Sequence, residues 1–217
     1  MGKITGFAID KGVFIAFSFD ESGAIRVASA QFDTVQTWSV NDFLKHKQGD
    51  WADYLRGATQ ALKKKFTLTV GFQALIVGSL PIGGLSSSAA VVISFLSALC
   101  KANGVRLTER EMVDIALEAE RDFVGVACGK LDQSCEVFGK KNHLLFLDTK
   151  DDSYDLLPKP ANMKPFGIAI FFSGVERNLI GSKFNMRVDE LRSAAYSLKA
   201  YAGMDYGKYS DTNLRDV

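Results

Sequence analysis

The stretch Pro81-Ile82-Gly83-Gly84-Leu85-Ser86-Ser87-Ser88-Ala89-Ala90 decides the fold. Before it, residues 68–77 alternate and predict a strand. After it, residues 86–102 enter on small residues, carry an apolar body and stop at Asn103-Gly104, which predicts a buried helix. A strand that runs through a glycine-rich loop into a helix has the parts of an anion cradle. Glycines admit a ligand close to the backbone, the helix N-terminus offers unpaired N–H groups with positive potential, and hydroxyls bond phosphate oxygens or a magnesium ion. Gly83, Gly84, Leu85, Ser86, Ser87, Ser88 and Ala89 are therefore the candidates for holding the polyphosphate of a nucleotide. No Gly-Lys-Ser/Thr ending follows, so this is not a Walker A loop, and backbone dipoles and metal must stand in for its lysine. Small residues at a helix start also suit plain close packing. Three buried hydroxyls weigh against that reading, at about 1–3 kcal/mol for each one left unpaired.

Upstream, residues 4–9, 13–19 and 24–31 are rich in β-branched and aromatic residues, and Asp20, Glu21, Ser22 and Gly23 separate the last two. This predicts a hairpin with a four-residue turn and three antiparallel strands opening the chain. Trp51, Tyr54, Leu55, Ala58 and Leu62 fall three or four apart and end in Lys63, Lys64 and Lys65, an amphipathic helix with cations at its C-terminus. Downstream, Thr108 and Glu111 form a capping box, Met112, Ile115, Ala116 and Ala119 the inner stripe of the next helix, and Glu120 its far end. Residues 131–138 predict a short helix stopped by Gly139, and 143–147 a strand. Residues 151–165 are polar and hold three of the four prolines, the best candidate boundary between a domain at 1–160 and a second at 161–217. Beyond it, 167–172 reads as a buried strand, 184–201 as a helix, and 203–217 loses its pattern.

Composition bounds the function. The 217 residues are 47% hydrophobic with a net charge of +1, enough for roughly one and a half domains and without the basic footprint of a nucleic-acid or membrane-surface binder. Cys100, Cys128 and Cys135 lack zinc-site spacing and read as reduced thiols. With His46 and His143 the only histidines, acid-base work falls to carboxylates. The first ten residues do not read as a signal peptide, and the apolar run at 89–100 is too short for a bilayer, which needs about 20 residues. A soluble cytoplasmic protein is expected.

The decamer resembles the phosphate-binding motif of the GHMP kinases, the superfamily of galactokinase, homoserine, mevalonate and phosphomevalonate kinases, in its sugar kinase branch. A second block, Glu120 with Cys128-Gly129-Lys130-Leu131-Asp132-Gln133, is similar to the galactokinase Glu-His…Cys-Gly-Ile-Met-Asp-Gln stretch. A third is Ser173-Gly174-Val175 with Arg177-Asn178-Leu179 and Ser182-Lys183-Phe184-Asn185-Met186-Arg187. Ala30-Gln31-Phe32, Trp51-Ala52-Asp53-Tyr54, Leu131-Asp132-Gln133-Ser134 and Phe172-Ser173-Gly174 look closest to a galacturonokinase-like subgroup. The resemblance implies an α+β fold: a GHMP-kinase-like N-terminal domain of mixed or antiparallel sheet with packed helices, then the beginning of a second, ferredoxin-like α/β domain.

It also implies chemistry, the transfer of the ATP γ-phosphoryl group to the anomeric hydroxyl of galactose or a related sugar. Asp132 would accept the proton or orient the attacking oxygen; read alone, it is a helix N-cap. Glu120 with Ser87 or Ser88 would hold Mg2+; read alone, Glu120 is a helix-end acid paired with Arg110 or Arg121. Gly129, Asp132, Phe184 and Lys130 fall on the sugar side. Phe184 stands where the family usually has Tyr, and Lys130 replaces an apolar residue, either to meet a sugar carboxylate at C6 or as a solvated lysine. The implied partners are a small sugar and ATP, with no nucleic acid and no membrane. The family's early Gly-Arg-x-Asn-Leu-Ile-Gly-Glu-His-x-Asp segment and its late glycine-rich motif have no match in the 217 residues, so the expectation is little or no sugar kinase activity from this polypeptide alone, with ATP binding kept in part. The alternatives are a kinase for another small alcohol, a non-catalytic sugar and ATP sensor, or a fragment with no independent role.

Overall fold

Alternation and periodicity place most elements where the sequence puts them. The computed structural model describes residues 2–79, 85–171, 174, 183–205 and 207–217. In chain order it has β1 (Lys3–Gly6), β2 (Val13–Asp20), β3 (Ala24–Ser29), β4 (Phe32–Ser39), α1 (Asp53–Lys63), β5 (Gly71–Gly78), α2 (Ser87–Ala102) and α3 (Glu109–Glu118). A π-helical turn (Ala119–Val124) follows, then α4 (Leu131–Phe138), β6 (His143–Asp148), β7 (Ser153–Pro158), α5 (Phe184–Tyr201) and two short 3-10 turns. The class is α+β, as expected.

The opening hairpin is not there. The larger sheet runs β2-β5-β3-β4 and the smaller β1-β6-β7. Strand β5 lies between β2 and β3, antiparallel to the first and parallel to the second, while β3 takes its antiparallel partner from β4. The turn chemistry was right: Asp20 accepts from the Ser22 N–H and from the Gly23 N–H. Such local bonds reverse the chain without choosing its neighbour, which burial decides. Ile25 and Val27 of β3 and Phe72 and Ile76 of β5 are buried in one core, and Gly71 lets β5 begin against β3, since a Cβ there would stand 2.0 Å from the Ala24 carbonyl oxygen. Strand β4 escaped the sequence reading because only Trp38 of its eight residues is buried.

Helices α1 and α2 cover one face of this sheet, and Trp38, Phe72 and Phe95 interlock at its centre, with ring centroids 5.2 Å apart for Phe72 and Phe95. The capping box at Thr108 and Glu111 forms as expected and starts α3. A second core joins Val113 and Phe138 to Leu145 and Leu147 under the smaller sheet. Strand β7 occupies part of the proline-containing stretch and ends at Pro158. Residues 167–171 form no strand and are exposed, and Phe172 lies outside the described residues. The apolar pattern there has no neighbouring strand to pair with among the described residues. No helix among the described residues is long and apolar enough to cross a membrane.

Candidate active site

Three separate segments meet at one place. The first is the start of α2. Ser86 precedes the helix in the left-handed region (φ 55°), uncommon for a residue with a side chain, and makes no side-chain cap bond. The first turn, which holds Ser87, Ser88 and Ala89, has no acidic residue, so nothing in it offsets the positive end of the dipole. Gly83 and Gly84 lie outside the described residues, and Leu85 is exposed.

The second segment is the π-helical turn that prolongs α3. Its wider winding turns Glu120 inward, where it is 2% exposed, so the helix-end reading of an exposed acid does not hold. Helix α1 supports this turn through Gly57, where a Cβ would stand 2.8 Å from the Ala119 carbonyl oxygen and 3.0 Å from Phe123. The Cys128 thiol donates to Glu120 Oε2 at 3.3 Å, and Oε1 is buried with no hydrogen-bond partner. Burial pushes the Glu120 carboxyl up, the Cys128 and Ser88 hydrogen bonds draw it down, and the Asp132 charge raises it again. Burial and the same carboxylate push the Tyr54 hydroxyl and the Cys128 thiol each up to about 12.

The third segment is α4. Lys130 takes the N-cap position and Asp132 lies in the first turn, exposed, so Asp132 is not the N-cap residue that an isolated reading suggests. Lys130 Nζ donates to Asp152 Oδ2 at 2.7 Å and lies 3.8 Å from Asp114, with its side chain 17% exposed. It is therefore an engaged lysine rather than a solvated one. A Cβ at Gly129 would meet no atom within 4 Å, so packing does not require the glycine. Phe184 opens α5, and its neighbour Asn185 hydrogen-bonds the 125–127 backbone, which brings that helix start against the loop leading to Gly129.

One turn beyond Asp132, Glu136 was missed by the sequence reading. Its Oε2 is buried without a partner, and burial, with the Asp132 and Glu120 charges, pushes its carboxyl up to about 8. Ser88, Glu120, Cys128, Asp132 and Glu136 thus share one electrostatic neighbourhood. A buried carboxylate with one free oxygen beside a serine and an unopposed helix N-terminus suits a hard cation and the anion it neutralises.

Residues 53–140 match the family described as the GHMP kinases N terminal domain. That stretch, from α1 through α4, is similar to the N-terminal domain of the GHMP kinases. Among curated proteins it is similar to the galactokinase of Pyrococcus furiosus, 32% identical over 86% of this chain and 51% of that protein. It is also similar to that of Thermotoga neapolitana, 34% identical over 100% of this chain and 60% of that protein. The chain therefore spans between half and two thirds of these relatives' length. The fold matches the structure of Lactococcus lactis galactokinase complexed with galactose, with a TM-score of 0.78 and 24% identity over 92% of this chain and 52% of that one. It also matches Methanococcus jannaschii mevalonate kinase, with a TM-score of 0.60 and 18% identity over 71% and 48%. As in these GHMP kinase relatives, the chain has a mixed α and β architecture.

Proposed function

We propose that this chain is a GHMP kinase and carries the ATP site and catalytic carboxylate of a sugar kinase, transferring the γ-phosphoryl group to the anomeric hydroxyl of a galactose-type sugar. The convergence of Ser88, Glu120 and Asp132 from three separate segments carries the reading, and the galactokinases among its relatives support it. The first turn of α2, with Ser87, Ser88 and Ala89, cradles the phosphates together with Gly83, Gly84, Leu85 and Ser86 ahead of it. Glu120 and Ser88, or Ser87, hold Mg2+, which supplies charge neutralisation of the phosphate oxygens. Asp132 stands exposed at the site, free to meet the sugar hydroxyl, orient its oxygen and take its proton. In a loose transition state the placement of that oxygen matters more than the basicity of the carboxylate.

The alternative role for Lys130, a partner for a sugar acid, competes with Asp152, which already accepts from its ammonium. Neutral galactose is therefore the preferred acceptor. The test offers γ-labelled ATP and Mg2+ with galactose, galacturonate, mevalonate or homoserine in turn. The reading expects sugar 1-phosphate from galactose above the other acceptors, at whatever rate this chain sustains; preference for a non-sugar alcohol would replace it.

A further inference from the structure

We propose that Asn185, at the start of α5, is a positioning residue that clasps the loop between Glu120 and Asp132 and so sets their separation. Its Oδ1 accepts from the Ala127 N–H at 2.9 Å, and its Nδ2 donates to the Gly125 carbonyl at 2.8 Å. One planar amide thus serves a carbonyl and an N–H two residues apart, as the backbone of a neighbouring strand would.

The clasped loop needs an external partner. It leaves the π-helical turn through Gly125 in the left-handed region (φ 85°), and its own short bonds, Val126 N–H to the Glu120 carbonyl at 3.0 Å and Cys128 N–H to the Val126 carbonyl at 2.7 Å, fold it tightly. Side chains hold its two ends: Lys47 donates to the Val124 carbonyl and Arg121 to the Cys128 carbonyl, each at 2.8 Å. Asn185 takes the middle. It comes from a helix of eighteen residues in which Ala195 is the one buried among those described, so the pairing is a specific contact and not a by-product of core packing. Whatever moves the start of α5 therefore moves the loop whose ends carry Glu120 and Asp132. The consequence for turnover rests on the sugar kinase reading, while the clasp itself does not.

Asn185→Ala removes both bonds, and Asn185→Asp keeps the acceptor for Ala127 while losing the donor to Gly125. Amide exchange followed by NMR should show Ala127 exchanging about tenfold faster in Asn185→Ala and staying protected in Asn185→Asp, with protection of the α2 core unchanged in both. Sugar phosphate formation should lose about tenfold in kcat in Asn185→Ala, with the KM for ATP moving less than about twofold. Unaltered Ala127 exchange in Asn185→Ala would overturn the clasp. Faster exchange with unaltered kcat, where Asp132→Asn removes turnover, would overturn the positioning role and leave the kinase reading intact. An absence of turnover in the unsubstituted chain would count against the kinase reading, and the clasp would then be judged on Ala127 exchange.

Discussion

Glu136 shows how far a single side chain departs from what its sequence position reveals. It follows Asp132 by four residues, so the two lie on one face of α4, and the buried Oε2 has no partner to offset its desolvation. With its carboxyl raised to about 8 in the folded chain, the protonated form is the one the fold favours. Its contribution to stability is complete below the unfolded value near 4.5 and is lost as pH rises toward 8. Urea midpoints measured from pH 5 to pH 8 should fall for the parent chain and fall distinctly less for Glu136→Gln; parallel slopes would show that the carboxyl ionises without penalty. The sequence made Asp132 and Glu120 legible through motif words. It left Glu136 unmarked and gave no sign that Tyr54 and the Cys128 thiol face Glu120, because those relations arise from burial, and burial depends on which elements pack together.

Among the elements, the π-helical turn matters most to the site, and it follows an amphipathic helix whose start was plain from its capping box. Periodicity located α3 and said nothing of the widened turn, since one extra residue per turn leaves no compositional mark. What holds that turn in place is its approach to Gly57, where α1 has no side chain to keep it away. Gly57→Ala should cost about 1–3 kcal/mol in urea denaturation by forcing the two elements apart; stability equal to the parent would show that the contact yields freely. The strands teach a similar lesson. Segments 13–19 and 24–31 were legible as strands and their turn as a turn, yet β5, more than forty residues on, separates them. Pairing over that distance follows from sharing a core, which local turn chemistry does not encode. The converse failure lies at 167–171, where an apolar run stays exposed without a strand beside it among the described residues.

At the scale of the molecule, the chain closes on itself. Arg215, near the C-terminal end, bonds both oxygens of Asp148 at the end of β6, and Lys150 pairs with Asp216 at 2.8 Å. The Arg215 guanidinium and the Lys150 N–H hold the Asp148 carboxyl well below the usual range. At a net charge of +1 the composition carries almost no excess of basic residues, and the proposed phosphate site rests on a helix N-terminus and serines, with the buried Glu120 carboxylate there to hold a cation between. The central claim is that this neighbourhood separates two tasks, nucleotide and metal at Ser88 and Glu120, the acceptor hydroxyl at Asp132. The most direct measurement compares the parent chain with Asp132→Asn for sugar 1-phosphate formation and for the shift in melting temperature caused by ATP with Mg2+. The account predicts that Asp132→Asn keeps the nucleotide shift and loses about a hundredfold or more in product formation. Undiminished product formation in Asp132→Asn would contradict it.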